Sequence, residues 1–542
     1  MKIKKIVVLY LLFVLLIMLV GVNYAAGGTT TLTREEKAGG VLVYGIGDEP
    51  DNLDPWKTTR ATSDMIMNHI LEPLVIVDKN LNIVPSLAES CKVSEDGTVC
   101  TFKLKEGIKF HDGTPFNADA VVFTFEHAMK GNTAWAIESV RDIIKLGDYT
   151  VKFVLKSPSL AFLLNIADAY FGIVSPTAYE KYKDRWGTEV LVGAGPFKFE
   201  KWIRGQEIVL IRNDEYKYGP VFLDNKGPAY LEKIVFKLIP EPTVLVGAVK
   251  SGDVDFTTYV PSVFVQQLKK DSTIQFYNIP SSGTRFLAFN LQRELFQDRR
   301  IRLAIAHAID KKPIADVAWS GAAIPTCSLL GPTTIAYYDV SDECIEYDLE
   351  KSKQFLADAG WKDLDGDGIL EKNGKKFEIN LLAYALTENS KSAVIIQDQL
   401  KKVGIKVVVE TLEKGTALAK AESGDFDIME YGIWYTTGDG FLNFIAYSKN
   451  KGVGNNAFYE NPEFDELITK ASMIAKIDEY KEYVKKAQDI LLKDLPYVPL
   501  VALTDSMMAK PLVGGLDNIV LEYPYWKDWH ARVIALEVYL KK

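Results

Sequence analysis

Thr101-Phe-Lys-Leu-Lys-Glu-Gly-Ile-Lys-Phe-His-Asp-Gly-Thr-Pro-Phe-Asn-Ala-Asp-Ala-Val-Val-Phe123 changes its hydrophobic period part-way along. From Cys100 to Leu104 apolar and polar residues alternate, which marks a half-buried strand. From Asn117 to Met129 the apolar positions fall at Ala118, Val121, Val122, Phe125 and Ala128 or Met129, one stripe of a helix, with Asn117 as its cap. Between them, His111-Asp-Gly-Thr-Pro115 has turn chemistry, and the helix that follows accounts for the turn without giving the histidine a reactive role.

Upstream, Cys91-Lys-Val-Ser-Glu-Asp-Gly-Thr-Val-Cys100 alternates around a Ser94-Glu95-Asp96-Gly97 turn. If Val93 faces Thr98 across that hairpin, Cys91 faces Cys100 at cross-strand distance and a disulfide is expected. Cys327 and Cys344 form the other close pair, and an even cysteine count outside the cytoplasm favours two bridges. Zinc is a poor fit because neither pair has a CxxC spacing or a histidine nearby.

The export signal is at the start. Lys2, Lys4 and Lys5 lead into an apolar stretch from Ile6 to Val22, followed by Ala25, Ala26, Gly27 and Gly28. Residues 1–27 read as a signal peptide cut after Gly27; the alternative is an uncleaved anchor, since the stretch is near the minimum for a bilayer core of about 30 Å. No cysteine follows it to take a lipid. A periplasmic or other extracytoplasmic location is expected.

The roughly 515 residues that remain are too many for one core. Composition is globular, with 48% hydrophobic and 25% charged residues, and the net charge of −9 argues against nucleic acid as a partner. Strands are expected near Val41–Tyr44, Val151–Leu155, Ile208–Arg212 and Lys233–Leu238. Helices are expected near Arg299–Ala308, Glu350–Ala359, Ser390–Val403, Glu463–Ile474 and Asp478–Leu492. This alternation points to layered α/β architecture.

Catalytic motifs are absent: no G-x-S-x-G, no H-E-x-x-H, no phosphate-binding glycine loop. His69, His111, His127, His307 and His530 are scattered without ligand spacing. Asp363, Asp365, Asp367 and Gly368 match the first half of a calcium loop, but Gly374 stands where the bidentate Glu belongs. They fit either a weak calcium site or a plain Asp/Gly turn before the strand Phe377–Leu382, and calcium is expected to be dispensable. No catalytic group, metal or cofactor is expected.

The 101–123 stretch closely resembles the signature of the family 5 extracellular solute-binding proteins, the dipeptide, oligopeptide and nickel receptors of ABC importers. Further blocks are similar to that family in the same order: Glu49-Pro-Asp-Asn-Leu-Asp-Pro55, Leu71-Glu-Pro-Leu74, Gly193-Ala-Gly-Pro-Phe-Lys-Phe199, Arg212-Asn-Asp-Glu-Tyr216, Lys250-Ser-Gly-Asp-Val-Asp255, Phe289-Asn290, Ile301-Arg302 through Ala308-Ile-Asp310, Gly424-Asp-Phe-Asp427, Asn461-Pro-Glu-Phe-Asp465 and Leu495-Pro-Tyr-Val-Pro499. The resemblance implies an α/β, two-lobed periplasmic binding protein of class II type, in the large form with an extra domain inserted in lobe I. The implied organisation is lobe I from 28–78, 193–288 and 509–542, the inserted domain from 79–192, and lobe II from 289–508. It further implies a monomeric receptor, with no enzymatic step, that closes on its ligand and docks on transmembrane permease subunits.

Ligand residues carry over only in part. Peptide-binding members of the family have Trp-x-x-Asp, whose carboxylate meets the peptide amine. Here Trp434 fits, Thr437 stands at the Asp position and the downstream Asp-Pro is missing, so Asp439, flanked by Gly438 and Gly440, is the candidate replacement. Arg285 is a candidate partner for a ligand carboxylate, or else a structural ion-pair member. Trp434 and Tyr435 with Thr436 and Thr437 would also suit an oligosaccharide, and Trp434 alone could simply be core. Peptide, oligosaccharide and nickel chelate stay open as ligands.

Overall fold

The computed structural model describes residues 32–78, 82–517 and 535–542; the signal peptide (1–27) and His530 lie outside them. The main framework is one 11-stranded sheet. Its strands are β1 (Val41–Ile46), then β6 (Phe197–Ile203), β7 (Glu207–Arg212), β8 (Lys233–Leu238), β9 (Phe256–Thr257), β10 (Gln275–Phe289), β11 (Ala323–Pro325), β12 (Glu378–Tyr384), β13 (Lys406–Leu412), β14 (Ile428–Trp434) and β15 (Tyr497–Ala509). The numbers β2 (Ala88–Val93), β3 (Val99–Leu104), β4 (Val140–Gly147) and β5 (Thr150–Leu155) belong to a separate four-stranded sheet in the order β2-β3-β5-β4.

β10 and β15 are long enough to serve two cores. Gln275–Pro280 pairs with Thr504–Ala509, beside β9, β1 and β8; Thr284–Ala288 pairs with Tyr497–Ala502, beside β14, β12 and β13. Between those runs Ser281, Ser282 and Gly283 oppose the single residue Leu503. Such a bulge bends a strand and increases its twist, which suits a crossing point between two lobes. A Cβ on Gly331 would fall 2.5 Å from the Ser282 carbonyl carbon, so only glycine lets that loop lie against the crossing.

Each half has the cores its sequence dictates. In β1 the alternate residues Leu42, Tyr44 and Ile46 are buried, and Tyr44 meets Phe236 and Phe256 at 5.2 and 4.8 Å. Beside the smaller sheet, helix α1 (Ala118–Ala128) is capped as expected, the Asn117 side chain accepting from the Ala120 N–H at 3.2 Å. It buries Ala118, Val121, Phe125 and Ala128, with Phe125 against Phe153 at 4.8 Å; Met129 is left exposed. Asp112 accepts from the backbone and hydroxyl of Thr114 (3.0 and 2.6 Å), which closes the expected turn. His111 is half-buried, its ring 3.0 Å from the Gly195 carbonyl, and desolvation lowers its pKa to about 4, so it stays neutral.

The cysteine pairs part company. Cys327 and Cys344 are joined, with Cα atoms 5.3 Å apart. The expected Cys91–Cys100 bridge is corrected: both are free thiols. Thr98 is drawn into the turn by Asp96, so Ser94 bonds to Val99 and the register moves by two residues. Cys91 then lies opposite Phe102 and Cys100 opposite Val93. The cysteines become diagonal neighbours, roughly 7–8 Å apart, beyond the Cβ separation of about 4 Å a disulfide needs. Burial pushes their pKa values up to about 11 and about 12. Alkylation of the denatured, unreduced protein is therefore expected to label Cys91 and Cys100 alone, and mass spectrometry showing all four protected would refute this register.

Candidate ligand-binding cleft

β1, parallel to β8 and β9, and β12 and β14, parallel to each other, run in opposite directions and end toward the β10–β15 crossing, so the loops beyond them approach from its two sides and frame the candidate cleft. The lobes touch at its edge, where the Ser262 hydroxyl donates to Glu388 Oε1 at 2.6 Å. Glu388 lies in the first turn of α2 (Thr387–Lys401), which has no side-chain cap from Leu386.

Arg285 is at the floor. It pairs with Gly432 of β14, and its side chain lies over that glycine, where a Cβ would come 2.3 Å from Cδ. Trp434, two residues on, is on the same face, and the guanidinium carbon sits 4.9 Å from its ring and 5.2 Å from that of Trp319. Arg285 is only 5% exposed, its Nε has no hydrogen-bond partner, and among the described residues no carboxylate reaches it as an ion pair. A structural ion pair is thus not what holds this charge. Burial lowers its pKa, opposed chiefly by the charge of Glu430. Trp434 is 52% exposed, so it is a wall rather than core.

The other expected site residues line the loop after β14. The Tyr435 carbonyl accepts from the Thr334 hydroxyl at 3.1 Å, and its half-buried ring leans on Phe444. Thr436 borders a cavity of about 150 Å³ shared with Thr133, Trp135 and Tyr170 from the segment carrying the small sheet. Thr437 caps helix α3 (Gly438–Ala446), its hydroxyl accepting from Gly440 N–H at 3.3 Å. Asp439 is half-buried in the first turn of α3. Its Oδ1 accepts from the Tyr480 hydroxyl at 2.7 Å, and its backbone N–H donates to that tyrosine's hydroxyl oxygen at 3.1 Å. Tyr480 belongs to α4 (Ile477–Asp494); burial, then the charge of Asp439, keeps its hydroxyl protonated. Asp439 is therefore fixed by α4, while Arg285 has no fixed partner.

Glu430, Trp319 and Tyr480 were not among the expected site residues. Glu430 did carry a signal, as an ionisable residue inside the otherwise apolar run Ile428-Met-Glu-Tyr431. Trp319 and Tyr480 carried none, because tertiary packing alone brings them to the site.

At Asp363, Asp365 and Asp367 the carboxylates lie within 4.8 Å of one another and are exposed. The Lys376 ammonium donates to Asp365 at 3.0 Å and to Asp367, and lies 3.7 Å from Glu371. A cation is thus supplied by the chain itself. Removing calcium with a chelator is expected to leave the melting temperature unchanged; a fall of many degrees would show that an ion displaces Lys376.

Comparison with known proteins follows the same lines. The family described as bacterial extracellular solute-binding proteins, family 5 Middle, matches residues 82–455. The oligopeptide-binding protein AppA of Bacillus subtilis is 30% identical over 510 residues, 90% of this chain and 92% of the relative. The ABC transporter-associated periplasmic binding protein DppA of Helicobacter pylori, solved with the peptide STSA, superposes with a TM-score of 0.68 at 29% identity, over 94% of this chain and 99% of that one. NikA of Brucella suis, solved with Fe(III)-EDTA, gives a TM-score of 0.73 at 25% identity, over 88% and 96%.

Proposed function

The chain belongs to the bacterial extracellular solute-binding proteins of family 5, and on that footing we propose that it is the peptide receptor of an ABC importer. It captures di- or oligopeptides outside the cytoplasm by closing its lobes, performs no chemistry on them, and delivers them as a monomer to transmembrane permease subunits. Among the described residues no helix is long and apolar enough to cross a membrane.

The observation that carries this reading is Arg285, a nearly buried cation without an ion-pair partner, set between two indole rings. Such a charge is costly unless something completes it, and a peptide's C-terminal carboxylate has the right sign and shape for a bidentate contact. Trp434, Tyr435 and Thr437 offer the peptide a wall and hydrogen bonds, and Asp439, oriented by Tyr480, offers a carboxylate to the α-amine. Binding to the closed form shifts the lobe equilibrium toward closure.

Titration calorimetry against a peptide panel and a glycan panel tests it. Peptides with a free C-terminus are expected to bind, and binding of glycans alone would overturn the reading. A second reading, an anionic metal chelate, is favoured by the same unpaired arginine and by the likeness to NikA holding Fe(III)-EDTA; adding Ni(II)–EDTA to the panel separates the two.

A further inference from the structure

In the β10–β14 ladder Arg285 shares its face with the carboxyl group of Glu430. In the β10–β14 ladder Arg285 is opposite Gly432 and Leu287 opposite Glu430, so Arg285 and Glu430 are diagonal neighbours on the face covered by α2. Glu430 is fully buried. Its Oε1 accepts from Asn389 Nδ2 of α2 at 3.2 Å, while Oε2 has no hydrogen-bond partner. Two opposite groups at this spacing would ordinarily close into a hydrogen-bonded ion pair, and they do not.

Burial pushes the Glu430 pKa up to about 8, outweighing the opposing pull of Arg285 and of the α2 side chains. The surroundings add little charge. From β10 Glu430 faces Arg285; Tyr384 of β12 lies on the other face by register, feels the charge of Glu430 and has its own pKa raised by burial; from α2 come Asn389 and Ser392, while Glu388 at the helix start acts on Arg285 and is engaged with Ser262. Its neighbour Tyr431 is likewise kept neutral by burial. At neutral pH Glu430 therefore holds its proton, and the charge of Arg285 is not cancelled from within.

We infer that Glu430 controls the site as a proton-linked switch: protonated, it leaves Arg285 free to take the anionic group of the ligand, and ionised, it neutralises Arg285 in the ligand's place. This rests on the reading above that a ligand carboxylate meets Arg285. A bound carboxylate near Glu430 further disfavours its ionisation, so binding and proton retention are linked. Affinity is flat while the free protein is protonated and falls above that range by at most tenfold per pH unit.

The experiment measures the affinity of wild type and Glu430→Gln for the best-binding peptide from pH 6.5 to 9.5. The peptide's own amine titrates in this window, but it affects both proteins alike, so the ratio of affinities is read. That ratio is expected to be constant below pH 7, and wild type to lose about tenfold relative to the variant by pH 9.5. Calorimetry in buffers of different ionisation enthalpy is expected to show more proton uptake on binding at pH 9 by wild type than by the variant, the peptide amine contributing equally to both. A flat ratio, or equal proton uptake by both proteins, overturns the inference. A ligand-free measurement keeps it distinct from the receptor reading. Because the folded pKa is raised above the ordinary glutamate value of 4.5 to about 8, the stabilisation is complete below pH 4.5 and is lost as pH rises through about 8. Wild type should lose melting temperature relative to Glu430→Gln across that window. If no peptide binds but this loss is seen, the receptor reading fails while the buried proton stands; if the loss is absent, the switch fails.

Discussion

Arg285→Gln is expected to weaken binding of a peptide with a free C-terminal carboxylate by roughly 10- to 150-fold, and binding of the same peptide with an amidated C-terminus very little. A hydrogen bond to a charged group is worth about 1.5–3 kcal/mol, and about 1.4 kcal/mol is a factor of ten. The upper end applies here because the guanidinium is almost buried between Trp319 and Trp434, where a contact is little screened. Folding should not suffer in parallel. Arg285 forms no ion pair that its loss would break, and a neutral side chain removes a desolvated charge. Calorimetry on the two peptides and a melting curve check both halves. Equal weakening for the acid and the amide would mean that Arg285 holds the indoles in place rather than the ligand's charge.

The largest loss of stability is expected at Phe286, one residue along β10 on the opposite face. It is fully buried, with its ring 5.6 Å from Tyr431, 6.2 Å from Phe441 and 5.3 Å from Tyr497 in edge-on contacts. Those partners come from β14, α3 and β15, so this one ring joins three elements just beyond the lobe crossing. Phe286→Ala should cost about 3–5 kcal/mol, the lost transfer energy together with the cavity left behind. For a lobe of some 200 residues that lowers its transition by roughly 2–4 °C per kcal/mol. Differential scanning calorimetry should show one transition moving and the rest of the trace unchanged. A drop below about 3 °C would mean that Tyr431 and Tyr497 collapse into the space.

Part of the candidate site could be proposed from the chain itself. Trp434 and Arg285 could be nominated as candidates from their neighbours, and the structure places them on one face beside the β10–β15 crossing. Their relation could not: Arg285 meets Trp434 only because β10 and β14, far apart in sequence, run antiparallel in the register that puts Gly432 beneath the arginine. The partner of Asp439 was hidden for the same reason, since Tyr480 arrives on a helix from beyond the loop.

What the sequence determined by itself is whatever a few consecutive residues decide. The Asn117 cap, the Asp112 turn and the burial of Leu42, Tyr44 and Ile46 in β1 rest on hydrogen bonds and side-chain periods spanning at most a few residues. What the tertiary structure decided is pairing and charge state. Cys91 and Cys100 lie nine positions apart and still do not meet, because one threonine drawn into a turn moves the register by two while leaving every side chain on its face. The proton on Glu430 depends on burial beneath α2 and on where Arg285 points, and both come from packing elements distant in sequence. Local rules bias the backbone wherever they apply, but register and desolvation are properties of the assembled sheet, and only the assembled sheet sets them.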